Sequence, residues 1–344
     1  MRKIAWLLIC CLALTGCAGR VELSLMAIAL GVDADEGGVT LTLKAPDYSA
    51  ASQDKAAQKG YLTLSARGET WEAAVAALLA SSPLDIRFGQ LREVAVSRQA
   101  LAHHALRELL GGVDRLPNVR SHALVLLCPG EARTLIEAQQ PVIGKRLSKY
   151  LDLSMQHAQA QGDIPTTTLA CALRDLTGPW RDPLLTWAEA TPEGVAYAGG
   201  WAVSGEGEVT PLTGHEVQLY RLLTGERQRL RFDYQGQVLG AEVRGGVDQA
   251  VAGNALVLRV PVTVLYSLYE EAPPPGAAEA LRQEVVALMG KLQAAHCDAL
   301  GFGNWAVREY ADLDAWLASG WPARYAASEV RVEVVAAYRQ ERME

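Results

Sequence analysis

No apolar run in this sequence is long enough to cross a bilayer. A spanning helix needs roughly 20 apolar residues, and the run over residues 4–14 stops well short of that. An excess of positive charge is missing too. The chain carries 32 Lys and Arg against 39 Asp and Glu, a formal net charge of -7 with the acidic residues dispersed. That balance disfavours nucleic acid and a broad electrostatic grip on anionic lipid. Cysteine is sparse, at 6 in 344 residues, and a chain of this length buries a core without disulfide staples. Catalytic signatures are absent as well. No Gly-x-Ser-x-Gly elbow occurs. Gly144-Lys145 is followed by Arg146 and lacks the preceding glycine of a phosphate loop. Gly301-Phe302-Gly303 has Ala306 at the third glycine position and follows a helical stretch, which excludes a dinucleotide fingerprint.

What is present begins at the first residue. Arg2 and Lys3 precede the apolar run, which ends in Leu14-Thr15-Gly16-Cys17. A basic start, a short apolar core and small residues before a cysteine describe a lipoprotein signal peptide. Residues 1–16 are read as the signal and Cys17 as the site of diacylglyceryl attachment. Each buried CH₂ contributes roughly 0.8 kcal/mol, and two chains anchor stably where one is marginal. The body is therefore expected on the outer face of the cytoplasmic membrane, tethered and not spanning. Cys10 and Cys11 leave with the signal. Cys128, Cys171 and Cys297 remain, an odd number without short spacing, and read as buried free thiols.

Hydropathy patterning gives an α+β chain with mainly antiparallel or mixed sheets and flanking helices. Residues 23–32 and the alternating Val39, Leu41 and Leu43 predict a hairpin around the polar turn 33–38. Thr70 caps a helix carrying Trp71, Val75, Leu78 and Leu79. Further helices are predicted over 101–110, ending at Gly111-Gly112, from Glu131, and over 144–174 with a break near Gly162 and Pro165. Apolar strands are expected at 122–128 and 196–203. Gly178-Pro179, Asp182-Pro183 and Thr191-Pro192 cluster where a boundary is expected. The division is a signal (1–16), an N-terminal α+β region (17–190) with an internal break near 120–145, and a C-terminal α+β domain (191–344). In that domain residues 256–268 form the clearest strand. Pro261 predicts that it lies at a sheet edge or carries a bulge. Leu281, Val285, Leu288 and Leu292 stripe a long helix, and Val330, Val332 and Val334 alternate in a closing strand with one wet face.

Candidate site residues are few. Asp33-Ala34-Asp35 starts like a calcium loop, but Lys44 stands where its glutamate belongs, so a turn is read there. His296 beside Cys297 has no second pair to complete a metal or thiol site. Trp180, Trp187, Trp201, Trp305, Trp316 and Trp321 either line a groove or anchor cores and a domain interface. No cofactor, metal or catalytic residue is assigned.

Four stretches carry a family resemblance. They are Glu22-Leu23 with Ala27-Ile28 and Gly31-Val32-Asp33; Gly68-Glu69-Thr70-Trp71-Glu72-Ala73; Arg87-Phe88-Gly89-Gln90-Leu91-Arg92; and Asp298-Ala299-Leu300-Gly301-Phe302-Gly303. In this order behind a lipobox, the chain resembles the Ger(x)C lipoproteins, the C subunits of spore nutrient-germinant receptors. Ala18-Gly19 and Val21 stand where that family usually has Trp-Asp and Arg. The resemblance implies a three-domain body and assembly with the integral-membrane A and B subunits at the spore inner membrane. It also implies a non-enzymatic role in nutrient-triggered germination, with Cys17 as the one residue of assigned chemistry. The alternative from the residues themselves is a solute-binding lipoprotein, which needs a deep interdomain cleft with convergent polar groups. A hydrolase would need a paired set of carboxylates.

Overall fold

The computed structural model describes residues 24–47, 60–141 and 146–342. Cys17 and the Glu22-Leu23 pair lie outside the described residues. Helices and strands are mixed throughout, in the expected α+β class with mixed sheets.

A hairpin forms, but residues 33–35 belong to its first strand and not to the turn, residues 24–26 form a separate strand, and Thr42 and Lys44 are buried where the alternation puts them on a wet face. Strand β2 (Ala29–Asp35) pairs antiparallel with β3 (Gly38–Pro46), closing at Asp35 opposite Gly38. Gly38 takes φ +132, and a side chain there would run into the Gly68 carbonyl. Strand β4 (Tyr61–Gly68) continues on β3, while β6 (Glu93–Ser97) and β7 (Leu124–Cys128) add on the other side, parallel to β2. Strands β8 (Leu184–Thr191), β9 (Gly194–Val203) and β10 (Val209–Leu212) complete an eight-stranded sheet. Every residue of β6 and β7 is buried, as parallel central strands require when both faces are covered. One face packs under helices α1 (Trp71–Ala80), α2 (Leu106–Asp114) and α5 (Leu169–Thr177). The other packs under α3 (Ala132–Ala138) and α4 (Leu147–Gln161). A short parallel pair, β1 (Ser24–Met26) with β5 (Asp85–Arg87), lies outside this ladder.

The second sheet holds β11 (Arg229–Tyr234), β12 (Gln237–Val243), β13 (Asp248–Ala252), β14 (Ala255–Ser267) and β15 (Glu329–Glu341). Its core face carries Leu256, Leu258, Val260, Val262 and Val264. It is covered by α6 (Gly214–Leu223) and by α7 (Ala277–Ala294), whose Leu281, Val285, Leu288 and Leu292 stripe is buried. Helix α6 starts with a complete capping box, Thr213 with Glu216.

Three features differ from the sequence reading or refine it. The helix expected over 101–110 is instead a 3-10 turn (Arg98–Ala102) followed by α2, which runs through both glycines. Gly112 does not stop the helix. It lets α2 close on Trp71, whose ring would lie 2.4 Å from an added Cβ. Strand β14 lies inside its sheet, not at an edge. On one side the β12 ladder ends at Val262 and the β13 ladder begins at Arg259, so Pro261 sits in the gap between them while β15 runs along the other side. That gap is where a missing N–H costs no ladder bond to β12 or β13. Finally, the eight-stranded sheet crosses residue 190, because β9 and β10 extend β8.

Candidate functional site at the junction of the two sheets

Segments from both sheets meet in a hydrogen-bonded cluster at the junction of the two cores. Residues 178–183 leave α5 and enter β8, and the turn 297–303 follows α7. Asp298 ties them together. Its Oδ1 accepts from the Gly301 and Phe302 N–H groups, both at 2.9 Å, and its Oδ2 from the Gly303 N–H and Trp321 Nε1. Its own N–H donates to Asp182 Oδ2 at 2.7 Å, and Asp182 N–H donates back to the Asp298 carbonyl. Arg181 Nε donates to the Ala299 carbonyl and its Nη2 to the Tyr220 hydroxyl. Trp316 Nε1 donates to the Pro179 carbonyl at 3.0 Å. The two glycines of the turn are there for space and shape. Gly301 has φ +81, and a Cβ on Gly303 would approach the Trp180 carbonyl to 2.4 Å.

Burial raises both carboxyls, Asp298 to about 7 and Asp182 to about 6, against the donors that favour their ionised forms. The Cys297 thiol bonds the Asp182 carboxyl and is pushed up by its own burial beside two acids, which makes it a poor nucleophile. Beside this clamp opens a cleft of about 660 Å³. It is lined by residues 101–107, 175–182 (except Thr177 and Trp180), 203–207, His296, and the Trp316 and Trp321 region. His296 reaches it from a left-handed backbone conformation, φ 50.

The tryptophans divide between the two readings. Trp201 is buried and packs on Trp187. Trp316 and Trp321 are buried, stack on each other at 5.4 Å and also line the cleft. Trp180 and Trp305 are partly exposed, the latter under Arg308. Cys128 is buried, its thiol donating to the Val96 carbonyl and pushed up to about 12 by burial. Among the described residues, no three His, Cys, Asp or Glu side chains gather as metal ligands.

Each motif stretch has a physical task that lies within the described residues. Gly31 admits α3, since a Cβ there would sit 2.9 Å from Ile136. Asp33 accepts from the Ala132 and Arg133 N–H groups, capping α3, and does not form a calcium loop. Gly68 lets the chain turn against Ala74 N, and Thr70 caps α1. Phe88 and Leu91 are core residues. The Asp298 turn is the clamp itself. Asp182 and Arg181 carry no motif. Their only sequence signal was the Gly-Pro and Asp-Pro punctuation around them.

Residues 21–190 match the family model described as the spore germination protein N-terminal domain. No curated protein matches the sequence. Among solved structures, the crystal structure of the GerBC protein shares the fold at a TM-score of 0.53 with 13% identity, over 91% of this chain and 98% of that one. With the N-terminal domain matched by its family model and the fold shared with GerBC along nearly its full length, this chain belongs to the Ger(x)C family of spore germination proteins.

Proposed function

We propose that the protein is the lipid-anchored, non-catalytic C subunit of a spore nutrient-germinant receptor, held by Cys17 on the outer face of the membrane beside the integral A and B subunits. The observation that carries this reading is the match of residues 21–190 to the spore germination domain, placed directly behind the Leu14-Thr15-Gly16-Cys17 lipobox. The motif stretches support a scaffold role, because their glycines, caps and buried aromatics go to packing and turn geometry. Two acyl chains confine the body to one membrane face, so docking on a membrane partner becomes nearly intramolecular. The test is Cys17→Ala. Spores should lose the protein from the membrane fraction and respond poorly to nutrients, while germination by nutrient-independent triggers persists. Unchanged nutrient responses, with the variant recovered in the soluble fraction, would defeat the reading.

The cleft at the junction favours one second reading, direct capture of a small solute. It has the volume of a ligand site, and Arg181, Asp182 and His296 reach it from different segments. Calorimetry of the full chain in detergent against amino acids and sugars separates the two. Saturable heat that Arg181→Ala abolishes supports capture, and its absence leaves the scaffold role.

A further inference from the structure

Strand β15 is the longest unpaired edge among the described residues. It pairs parallel with β14 from Glu329 to Glu341 and has no strand on its other side. The direction of its free groups follows from two bonds. Glu329 N–H donates to the Asn254 carbonyl, and the Glu341 carbonyl accepts from Leu268 N–H. Odd-numbered residues therefore bond β14, and even-numbered residues from Val330 to Gln340 turn their N–H and C=O outward. Val330, Val332, Val334 and Ala336 pack on the second core yet stay only half-buried. Val335 and Tyr338 are each 41% exposed. The strand contains no proline or bulge, two of the devices that protect an edge, and its protection is left to the charged side chains Glu329, Arg331, Glu333, Arg339 and Glu341.

The charges on the outer face select an occupant. We propose that β15 pairs antiparallel with β15 of a second copy of this chain, centred on Ala336, joining two five-stranded sheets into one. In that register Arg331 stands opposite Glu341 of the second copy and Glu333 opposite Arg339, each contact made twice by symmetry. Val335 meets Ala337, and Val334 meets Tyr338. The outward-facing even residues then oppose one another, so each such pair exchanges both backbone bonds. Neighbouring registers fail on charge. Centring on Val335 sets Arg331 against Arg339 and Glu329 against Glu341, and centring on Ala337 sets Glu333 against Glu341. Within one chain these side chains make ion pairs: Arg331 with Glu329, Glu333 with Arg259, and Arg339 with Glu242 and Glu341. Arg331 at 60% and Glu333 at 66% stay well exposed and so can share a second partner, while Arg339 at 40% and Glu341 at 33% are more committed, Glu341 also to Arg229 at 3.0 Å.

The experiment is sedimentation velocity of the full chain in detergent micelles. The parent should self-associate in the micromolar range. Ala336→Pro removes an outward N–H and no β14 bond, and should weaken association by about tenfold or more. Arg331→Glu should weaken it likewise, and Arg331→Glu with Glu341→Arg should restore it, a reversal that a folding defect cannot produce. A chain that stays monomeric, or a dimer indifferent to Ala336→Pro and to the charge swap, overturns the proposal. A monomer whose even-numbered β15 amides gain exchange protection only on adding a different protein also overturns it, in favour of a heterologous strand.

Discussion

The two sheets of this chain are buried in different ways. The eight-stranded sheet is sealed on both faces at its centre, where every residue of the parallel strands β6 and β7 is inside, while its edge strand β4 has no fully buried residue. The five-stranded sheet has one core face and one wet face, and its last strand contains no fully buried residue. The first arrangement commits its surfaces inward and makes a scaffold. The second ends in a longer open edge, 13 residues of β15 against 8 of β4. Two polar clusters connect them among the described residues: the Asp298 clamp, and a second in which Gln218, Arg221 and Arg227 donate to Asp163, Gln159, Ile164 and Ala160. The clamp is the more deeply buried, with a single carboxyl at its centre.

Asp298→Ala should have the largest effect. It strands three backbone N–H groups and the Trp321 indole in a buried turn, and a buried donor left without its acceptor costs about 1–3 kcal/mol, several of them here. Because the four donors left without an acceptor, the Gly301, Phe302 and Gly303 N–H groups and the Trp321 indole, all lie in the second half, that half should melt first. Calorimetry should show one endotherm splitting into two. A single transition at the parent temperature would mean that the halves are coupled elsewhere.

The sealed sheet has a buried acid of its own, and it behaves differently. Glu93 is met by only two side-chain donors, Tyr197 Oη and Gln139 Nε2. Burial lifts it to about 7 from an ordinary 4.5. Folding therefore takes up a proton between these values. The stability due to the neutral acid is full below pH 4.5 and is lost as the pH rises through about 7. At higher pH the ionised acid costs about 3 kcal/mol relative to a neutral isostere. Glu93→Gln should thus melt at a higher temperature than the parent near pH 8 and together with it near pH 4.5. Equal melting at both would mean that Glu93 is ionised at no cost.

Gly31→Ala sharpens the same contrast in the sealed half, at about 1–3 kcal/mol. The new Cβ would meet Ile136 at 2.9 Å and the Ala132 backbone at 3.2 Å, and α3 must shift to admit it. Denaturant midpoints of the sealed half should fall while those of the second half stay put. An unchanged midpoint would show that α3 yields freely.

Much of this was legible in the sequence, wherever one physical rule dominated. The hairpin followed in outline from an apolar run, a polar turn and an alternating strand, though its turn is shorter than 33–38 and both faces of its second strand are covered, and α7 followed from its four-residue stripe. What escaped was set by contacts between distant residues. Gly112 reads as a helix stop locally and is a packing position beside Trp71. Pro261 reads as an edge residue and sits in a gap between two strands of one ladder. Asp298 was visible as part of a motif, but its partner Asp182 is separated from it by most of the second half. No local pattern announces a carboxyl that serves a turn on another element. Cys17, the one residue given a chemical role from sequence, lies outside the described residues.

The smallest expected effect tests the open edge alone. Ala336 N–H faces away from β14, so Ala336→Pro removes no intrachain ladder bond, and proline is tolerated on edge strands in this orientation. Its cost to folding should stay within about 1 kcal/mol. Ala337→Pro, one residue on, deletes a bond to β14 inside the sheet and should cost more. The difference between the two neighbours, read from urea midpoints of the second half, reports which backbone groups of β15 face outward. If the two variants are equally destabilised, the strand is covered on both sides and the contrast with the sealed sheet disappears. If only Ala337→Pro unfolds the sheet, the row of outward N–H and C=O groups is accessible to a pairing strand.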